Sequence, residues 1–592
     1  MLRGATAFFE DRFRNRALLL AVLLALVCGL TFDPKLYVNG DNVDYMLLAQ
    51  RILHDGTLWA SGKFPPVFPM LLAPVQLVAG TACVPQKILV GLLFVATGPL
   101  LLVLTERVMP RAFAFPAVAL GMISIPVLEF SHYVMSEVPY LFFQTAAFVA
   151  GERLLRMDGP AASEATRRGD ASGWPEILRT LRSRAFLVFF LFAALAFYTR
   201  TIGLVVPGAF LLVCLCERRR RLLAASAAAT LVLLAPWLLH TLAAAGGEGE
   251  SYLAQLVRVN PYYPQDGLLT PAALFDRVTY NASRYFAIEI PRLLVPLTVD
   301  TTYVVRPEVH RAWHAHLWLL PVALLLLGLR GRLRALPLTI TGLAATLCVC
   351  LLWPPIWTSV RFLIPILPLL VLLFLCGCRD AAALAERAFT RAHVGARARA
   401  GTRGDGAARP RLRRPPDFAL ALVLLVLLAA GARNIRAYAA DTREYPLDWK
   451  YYFETARWAR AHLPPDALVI DRKPTMFSFV SGVRAAGFPR AEPDSMIAYL
   501  QRVGADYVHL SSIPYDDIPR YLYPAVQQRP SYFLPFWRTE RSGGMMSALF
   551  AFDPTGSGPG LPPPPAGATL PPLKSRPRAA SQSRPPDARS SR

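Results

Sequence analysis

Long apolar runs separated by clusters of arginine constrain this chain more than any other feature. The runs 17–32, 231–242 and 362–375 contain no Asp, Glu, Lys or Arg. Of the 592 residues 54% are hydrophobic and 17% charged, and the mean hydropathy is +0.37. A soluble chain of this length would form several domains with charged surfaces. These runs instead read as helices that cross a bilayer, which takes roughly 20 predominantly apolar residues each. The shorter ones need flanking polar residues to complete a crossing.

The excess of basic residues follows the same pattern. Lys and Arg number 63 against 40 Asp and Glu, a net charge of +23. Such an excess can signal nucleic-acid binding. Here the arginines gather between apolar runs, at 218–221, 330–334 and 379–414, where cytoplasmic loops carry them. Membrane lipids are therefore the expected partner, and nucleic acid is not. Spans placed at about 16–32, 86–105, 112–131, 137–155, 185–199, 201–216, 221–242, 312–329, 335–353, 360–377 and 417–432 give eleven crossings. A basic, cytoplasmic N-terminus then puts every basic loop inside, provided that the apolar segment 65–80 does not cross. That segment is short and holds Pro65, Pro66, Pro69 and Pro74, which suits an interfacial or re-entrant helix. Loops 33–85 and 243–311 and the C-terminus share the outer side. The first run resembles a signal peptide but has no small-residue cleavage site after it, so it reads as an uncleaved first span.

The membrane domain is expected over 1–432. Residues 433–555 alternate helix (451–462, 494–503) and strand (467–471, 506–511, 546–552), a small α/β domain. From 556 the chain is rich in Pro, Ser, Ala and Arg, which fits a disordered tail. The eight cysteines lie mostly in or beside apolar runs, and six form three C-x-C pairs. Residues two apart on a helix point to different sides, so no metal site is expected, and no cysteine follows Cys378, so the C-terminal region has no disulfide framework.

The residues that could carry chemistry cluster on the outer side. Asp41 precedes an amphipathic helix, with Asp44 and Tyr45 three and four residues on. That spacing puts both carboxylates and the phenol on one face. Paired carboxylates can split roles, because the charge on one raises the pKa of the other, and one can act as general base toward a hydroxyl. Asp41 is equally a good N-cap, with Asp44 near N3, and spacing alone does not separate base from cap. Glu137 opens a span, where an ionisable group is costly and points to function, or else is a helix start at headgroup level. Arg200 and Arg361 fall outside, where the charge rule does not explain them. Their guanidinium forks suit a lipid phosphate or interfacial anchoring. Lys87 opens the second span. His462 and His509 read as structural, and Asn281-Ala-Ser283 as a chance match to a glycosylation sequon. The chain has no Gly-rich nucleotide loop, His-Glu-x-x-His or nucleophile elbow.

Taken in order, these segments resemble the GT-C membrane glycosyltransferases, in particular the family-39-like group of protein O-mannosyltransferases and bacterial lipid A aminoarabinose transferases. The likeness spans roughly residues 15–550. That family's first outer loop carries an Asp-Glu-x-x-Tyr-x-x-x-Ala helix, a Gly and a Pro-Pro segment along the membrane. Asp41, Tyr45, Ala49, Gly56 and Pro65-Pro66 match, whereas Asn42 stands where relatives carry Glu. Ser136-Glu137, Thr199-Arg200 and the segment from Arg361 to Pro365 resemble the family's Ser-Glu-Pro, Thr-Arg and Arg-Tyr-Leu-Leu-Pro segments. Lys87 falls where relatives often have Arg, and 458–470 with 504–508 resemble their outer domains. The resemblance implies a polytopic α-helical membrane protein, GT-C-like, with about eleven transmembrane helices and a small extracytoplasmic α/β domain. It implies inverting transfer of a hexosyl or pentosyl group from a polyprenyl-phosphate sugar to a hydroxyl of a glycan, lipid or protein acceptor. Asp41, Asp44 and Glu137 would be catalytic, and Tyr45, Lys87, Arg200 and Arg361 would bind substrate, with no metal and no further cofactor. Two other functions fit the composition. A transporter or flippase for a lipid-linked glycan would show inverted repeats and mid-membrane charge. An inactive scaffold of a glycan-assembly system would suit Asn42. The Ala-, Arg- and Pro-rich composition points to a GC-rich bacterial genome, hence to the cytoplasmic (inner) membrane with periplasm outside.

Overall fold

A computed structural model describes residues 13–38, 41–59, 61–157, 174–243, 252–261, 266–296, 318–399, 416–441, 444–541 and 544–558. The chain divides into two compact units, Met1–Thr442 and Arg443–Arg592. The expected tail lies outside the described residues from 559 onward.

The first unit is helical because its runs are apolar on every side, and a backbone in such surroundings must satisfy its own polar groups. In chain order the helices are α1 (Phe13–Leu30), α2 (Asn42–Asp55), α3 (Val67–Ala79), α4 (Cys83–Thr105), α5 (Arg111–Met122), α6 (Ile125–Phe130), α7 (Glu137–Met157), α8 (Trp174–Arg182) and α9 (Arg184–Thr199). They continue with α10 (Val205–Cys216), α11 (Arg220–Ala243), α12 (Tyr252–Val257), α13 (Pro271–Ala282), α14 (Ile290–Leu294), α15 (Leu319–Arg332), α16 (Pro337–Leu352), α17 (Leu367–Arg399) and α18 (Pro416–Asp441). Among the described residues five helices, α1, α4, α11, α17 and α18, contain stretches long and apolar enough to cross a membrane. Helices α8 and α9, bent by 65°, make a sixth if they form one span. All eleven expected spans overlap helices of this set, so a count near eleven requires the shorter ones to cross as well.

Three expectations change. The span placed at 112–131 is broken between α5 and α6, where Ser124 Oγ donates to Gly121 O at 2.8 Å and proline enters at the start of α6, a position that tolerates its missing N–H. The span placed at 360–377 becomes α-helical only at Leu367. Val360–Phe362 is a short 3₁₀ turn, since Pro365 disfavours helical geometry in the residue before it. Arg361 therefore sits on a turn ahead of the helix. The loop 243–311 is largely helical where described, through α12, α13, a π-helical turn at Ser283–Glu289 and α14.

The first outer loop is pinned by buried polar groups. Gln76 on α3 donates to Met46 O of α2 at 2.9 Å and to Gln86 Oε1 of α4 at 3.1 Å. Helix α3 has 13 residues, about 20 Å of helix, too short to span a hydrocarbon core of about 30 Å alone. Helices α15 and α17 approach backbone to backbone. A Cβ on Gly377 would lie 1.7 Å from Leu324 O, and one on Gly328 would lie 1.9 Å from Leu373 O. Small residues permit such contact between helices in lipid. Gly377→Ala is therefore expected to destabilise the first unit by about 1–3 kcal/mol, read as a lowered melting temperature in detergent. Gly29→Ala, with nothing within 4 Å of the new atom, should leave it unchanged.

The second unit is a five-stranded sheet in the order β2-β1-β3-β5-β4, with β1 (Leu468–Ile470), β2 (Arg484–Ala486), β3 (Tyr507–Ser511), β4 (Phe533–Arg541) and β5 (Gly544–Phe552). Strands β2, β1 and β3 run parallel, and β5 and β4 are antiparallel to their neighbours. Its helices are α19 (Leu447–His462), α20 (Pro474–Ser481), α21 (Pro493–Val503) and α22 (Tyr523–Gln528). Of these, α20, α22, β2 and β4 were not expected from the sequence. A polar chain runs through this core. His509 Nδ1 meets Asp471 Oδ2 at 2.6 Å, and His509 Nε2 meets Ser547 Oγ at 2.7 Å. Tyr452 donates to Asp471 Oδ1 at 2.9 Å. The order Asp-His-Ser is that of a hydrolase, but Ser547 is fully buried and its hydroxyl is shared with Thr455 at 2.5 Å. The chain ties α19 to the sheet, a structural role like the one expected for His509. His462 is exposed, stacks on Trp458 and donates from Nδ1 to Trp458 O at 2.9 Å.

Candidate active site

Five charged side chains from five separate segments meet in the first unit. Arg361 is the hub. Its Nη2 donates to Asp41 Oδ2 at 3.1 Å, and its Nε donates to Glu137 Oε1. Arg200 Nη1 lies 2.6 Å from the same Glu137 oxygen and donates to Ser136 Oγ at 3.1 Å. Lys63 Nζ stands 3.5 Å from Asp41 Oδ1 and 4.5 Å from the Phe64 ring centroid. Each group sits at a helix end or turn: Asp41 before α2, Lys63 before α3, Glu137 at the start of α7, Arg200 after α9, Arg361 before α17.

Exposure separates the two acids. The Asp41 side chain is 24% exposed and that of Arg361 23%, whereas Glu137 is sealed at 0%. The Asp41 carboxylate reaches solvent. Glu137 instead orients two guanidinium groups. Asp41 does occupy the N-cap position of α2, but its side chain makes no capping hydrogen bond. The carboxylate turns toward Arg361 and Lys63 instead. Burial would raise its pKa, but Arg361, Lys63 and Arg200 hold it down, to about 2. A folded-state pKa below the unfolded value means that this pairing stabilises the fold above about pH 4. The contribution is lost as pH falls toward 2.

Several expected roles change. The acid that shares Arg361 with Asp41 is Glu137, not Asp44. Tyr45 is buried. Its hydroxyl is bonded to Ser136 Oγ at 2.8 Å, and its ring packs on Phe64 and Phe68. It joins α2 to α7 rather than presenting its phenol to a substrate. Lys87 is fully buried and donates to the carbonyls of Asp33 and Lys35, which anchors the start of the loop away from the cluster. Asn42 donates to Tyr37 O at 2.6 Å, a bond that a carboxylate there could not make. Lys63 and Ser136 were missed. Ser136 lay inside a quoted segment, but Lys63 is one lysine in a loop, and only its place before Phe64-Pro65-Pro66 hinted at it.

The sequon residue Asn281 has a structural task. Its amide donates to Leu351 O at 2.8 Å and Trp353 O at 2.7 Å, and its Oδ1 accepts from Thr358 Oγ1 at 2.6 Å. One turn earlier, Arg277 donates to Leu256 O at 2.7 Å and Leu352 O at 3.2 Å. Together they satisfy carbonyls at the end of α16, which a helix leaves unpaired, and brace the segment leading to Arg361.

No family model and no curated protein matches the chain. Solved structures do. The archaeal oligosaccharyltransferase AglB from Archaeoglobus fulgidus, in complex with an inhibitory peptide and a dolichol-phosphate, superposes with a TM-score of 0.51 at 14% identity, over 91% of this chain and 74% of that one. ArnT from Cupriavidus metallidurans bound to undecaprenyl phosphate superposes with a TM-score of 0.51 at 14% identity, over 92% of this chain and 99% of that one. The chain thus shares its overall fold with these two proteins.

Proposed function

We propose that this protein is an inverting glycosyltransferase that moves a sugar from a polyprenyl-phosphate donor to an acceptor hydroxyl on the extracytoplasmic side of the membrane. One observation carries the reading: Arg361 is shared between a solvent-reachable carboxylate, Asp41, and a sealed one, Glu137. The fold is shared with proteins solved with dolichol-phosphate and undecaprenyl phosphate, and a lipid phosphate is what a mostly buried pair of guanidinium groups that still reaches solvent suits.

Glu137 holds Arg361 and Arg200 in place. The donor phosphate takes up Arg361, with Arg200 and Lys63 beside it. Asp41 accepts the proton of the acceptor hydroxyl. The acceptor oxygen bonds to the anomeric carbon from the face opposite the phosphate. The C1–O bond breaks, and its electron pair stays on the phosphate oxygen, where the guanidinium groups meet the growing charge. Neither a nucleotide nor a metal enters this scheme. The inner membrane is the proposed location, with a periplasmic second unit.

Arriving phosphate takes Arg361 away from Asp41 and adds negative charge, so it raises the basicity of Asp41 at the moment it is needed. The acid limb of kcat/KM, which reports the free protein, is therefore expected to lie near pH 2 and to leave the profile flat above about pH 4. The limb of kcat should move up toward the ordinary carboxylate value of about 4 or higher. Steady-state pH profiles with a polyprenyl-phosphate sugar check this, and a kcat/KM limb at pH 4 or above would rule out the paired Asp41 as base. The central test is release of polyprenyl phosphate by purified protein. Retention of full transfer by both Asp41→Asn and Arg361→Ala would refute the assignment.

A further inference from the structure

Three side-chain oxygens on one face of α7 are buried without a hydrogen-bond partner among the described residues: Glu137 Oε2, Tyr140 Oη and Gln144 Oε1. All three residues are 0% exposed. Buried polar atoms without partners are costly and rare, so three on a single helix face call for an explanation. They stand at i, i+3 and i+7, one stripe of the helix. With a rise of 1.5 Å per residue, Tyr140 lies about 4.5 Å and Gln144 about 10 Å along the axis from Glu137.

Both ends of the stripe abut the segment that carries Arg361. Glu137 bonds Arg361 itself through its other oxygen, and the Gln144 amide donates to Pro365 O at 3.5 Å. Tyr140 packs with Ala196 of α9, the helix that ends at Arg200. The stripe therefore leads away from the cation cluster along α7, beside the segment that carries Arg361.

The chemistry of the atoms selects what they would meet. A carboxylate oxygen and an amide oxygen only accept hydrogen bonds, and a phenol both donates and accepts. The complement must donate. A phosphate diester or an alkyl chain has no donor, whereas a sugar ring carries several hydroxyls in fixed positions. We propose that this face of α7 is the pocket for the donor's sugar ring, with Tyr140 and Gln144 discriminating among sugars by their hydroxyl pattern and Arg361 holding the phosphate above. The inference rests on the donor reading given under the proposed function and deepens it. A site built to hydrogen-bond a hydroxyl rejects analogues lacking it far more strongly than an apolar pocket does.

The test uses full-length protein in nanodiscs, with Tyr140→Phe and Gln144→Leu as variants. The probes are undecaprenyl phosphate alone and undecaprenyl phosphate bearing single pentoses or hexoses. The wild type should bind at least one sugar-bearing lipid about tenfold more tightly than the bare lipid. Each variant should lose most of that preference, a change of about tenfold, with unchanged affinity for the bare lipid. Tyr140→Phe removes only an unpartnered atom and should melt at or above the wild-type temperature, whereas Gln144→Leu also gives up the 3.5 Å bond to Pro365 O and should melt close to it. A melting temperature lowered by several degrees in both would make the stripe structural and overturn the proposal. So would a variant that keeps the full sugar preference, or a wild type that shows none. A wild type that binds no undecaprenyl phosphate at all would sink the donor reading, and the pocket with it. The other adverse outcomes leave that reading standing.

Discussion

Arg361→Ala is expected to lower sugar transfer by about 10²- to 10³-fold and to weaken the fold at the same time. The first effect follows from removing the group proposed to meet charge on the leaving phosphate, the kind of contact whose loss costs about 10²–10³ in kcat. The second follows from what the substitution leaves behind. Glu137 is fully sealed, and without Arg361 its carboxylate retains Arg200 alone. Removing one partner of a buried ion pair costs about 3–5 kcal/mol. The two effects can be told apart with the double change Arg361→Ala with Glu137→Gln, which removes the stranded charge. Stability should largely return, while transfer should not. Arg361→Lys should keep part of the fold but little activity, because a single ammonium cannot present the fork that now reaches both carboxylates. Thermal melts and single-turnover transfer assays on the three variants separate the outcomes. Wild-type transfer rates in Arg361→Ala would place the phosphate elsewhere.

Asp41→Asn is expected to act chiefly on chemistry, with the loss of the stabilisation that its charge pairing gives above about pH 4. The amide is nearly isosteric, and Asp41 makes no capping bond whose loss would unravel α2. Loss of a positioned general base typically lowers the rate about 10²- to 10⁴-fold, and kcat should fall by that amount. Donor affinity should move the other way. Asp41 now competes for Arg361 and Lys63, so neutralising it leaves both cations more available to an anionic phosphate. A variant that binds undecaprenyl phosphate more tightly than the wild type, yet turns over far more slowly, is the expected signature. Weaker binding of that lipid by Asp41→Asn would mean that Asp41 touches the donor instead of competing with it.

Much of the architecture was legible in the chain. The apolar runs at 17–32 and 417–432 became α1 and α18, and the proline-rich 65–80 segment became the short helix α3. Errors fell where local pattern and packing disagree. Pro365 delayed the start of α17 past Arg361. Strand β4 was missed because Phe533–Arg541 is an edge strand with Pro535 inside it, and proline usually argues against a strand. In the site, the members of the quoted segments Asp41, Glu137, Arg200 and Arg361 did converge. Tyr45 and Lys87, from the same motifs, turned out to be bolts between elements. The spacing that marks a helical face is identical for a side chain that meets substrate and one that meets a neighbouring helix.

By itself the sequence determined that this is a membrane-embedded helical protein with a small α/β unit after it. Hydrophobic run length, charge and proline content are properties of contiguous residues, and lipid leaves a chain of such runs few other ways to satisfy its backbone. Tertiary structure alone decided which charges meet. Asp41 and Arg361 are 320 positions apart, and Glu137 and Arg361 are 224 apart. No local signal states that the neighbour of Asp41 is Glu137 across a shared arginine rather than Asp44 three residues away. That choice is made where the ends of α2, α7 and α9 and the turn before α17 come together, because only packing brings those ends to one point.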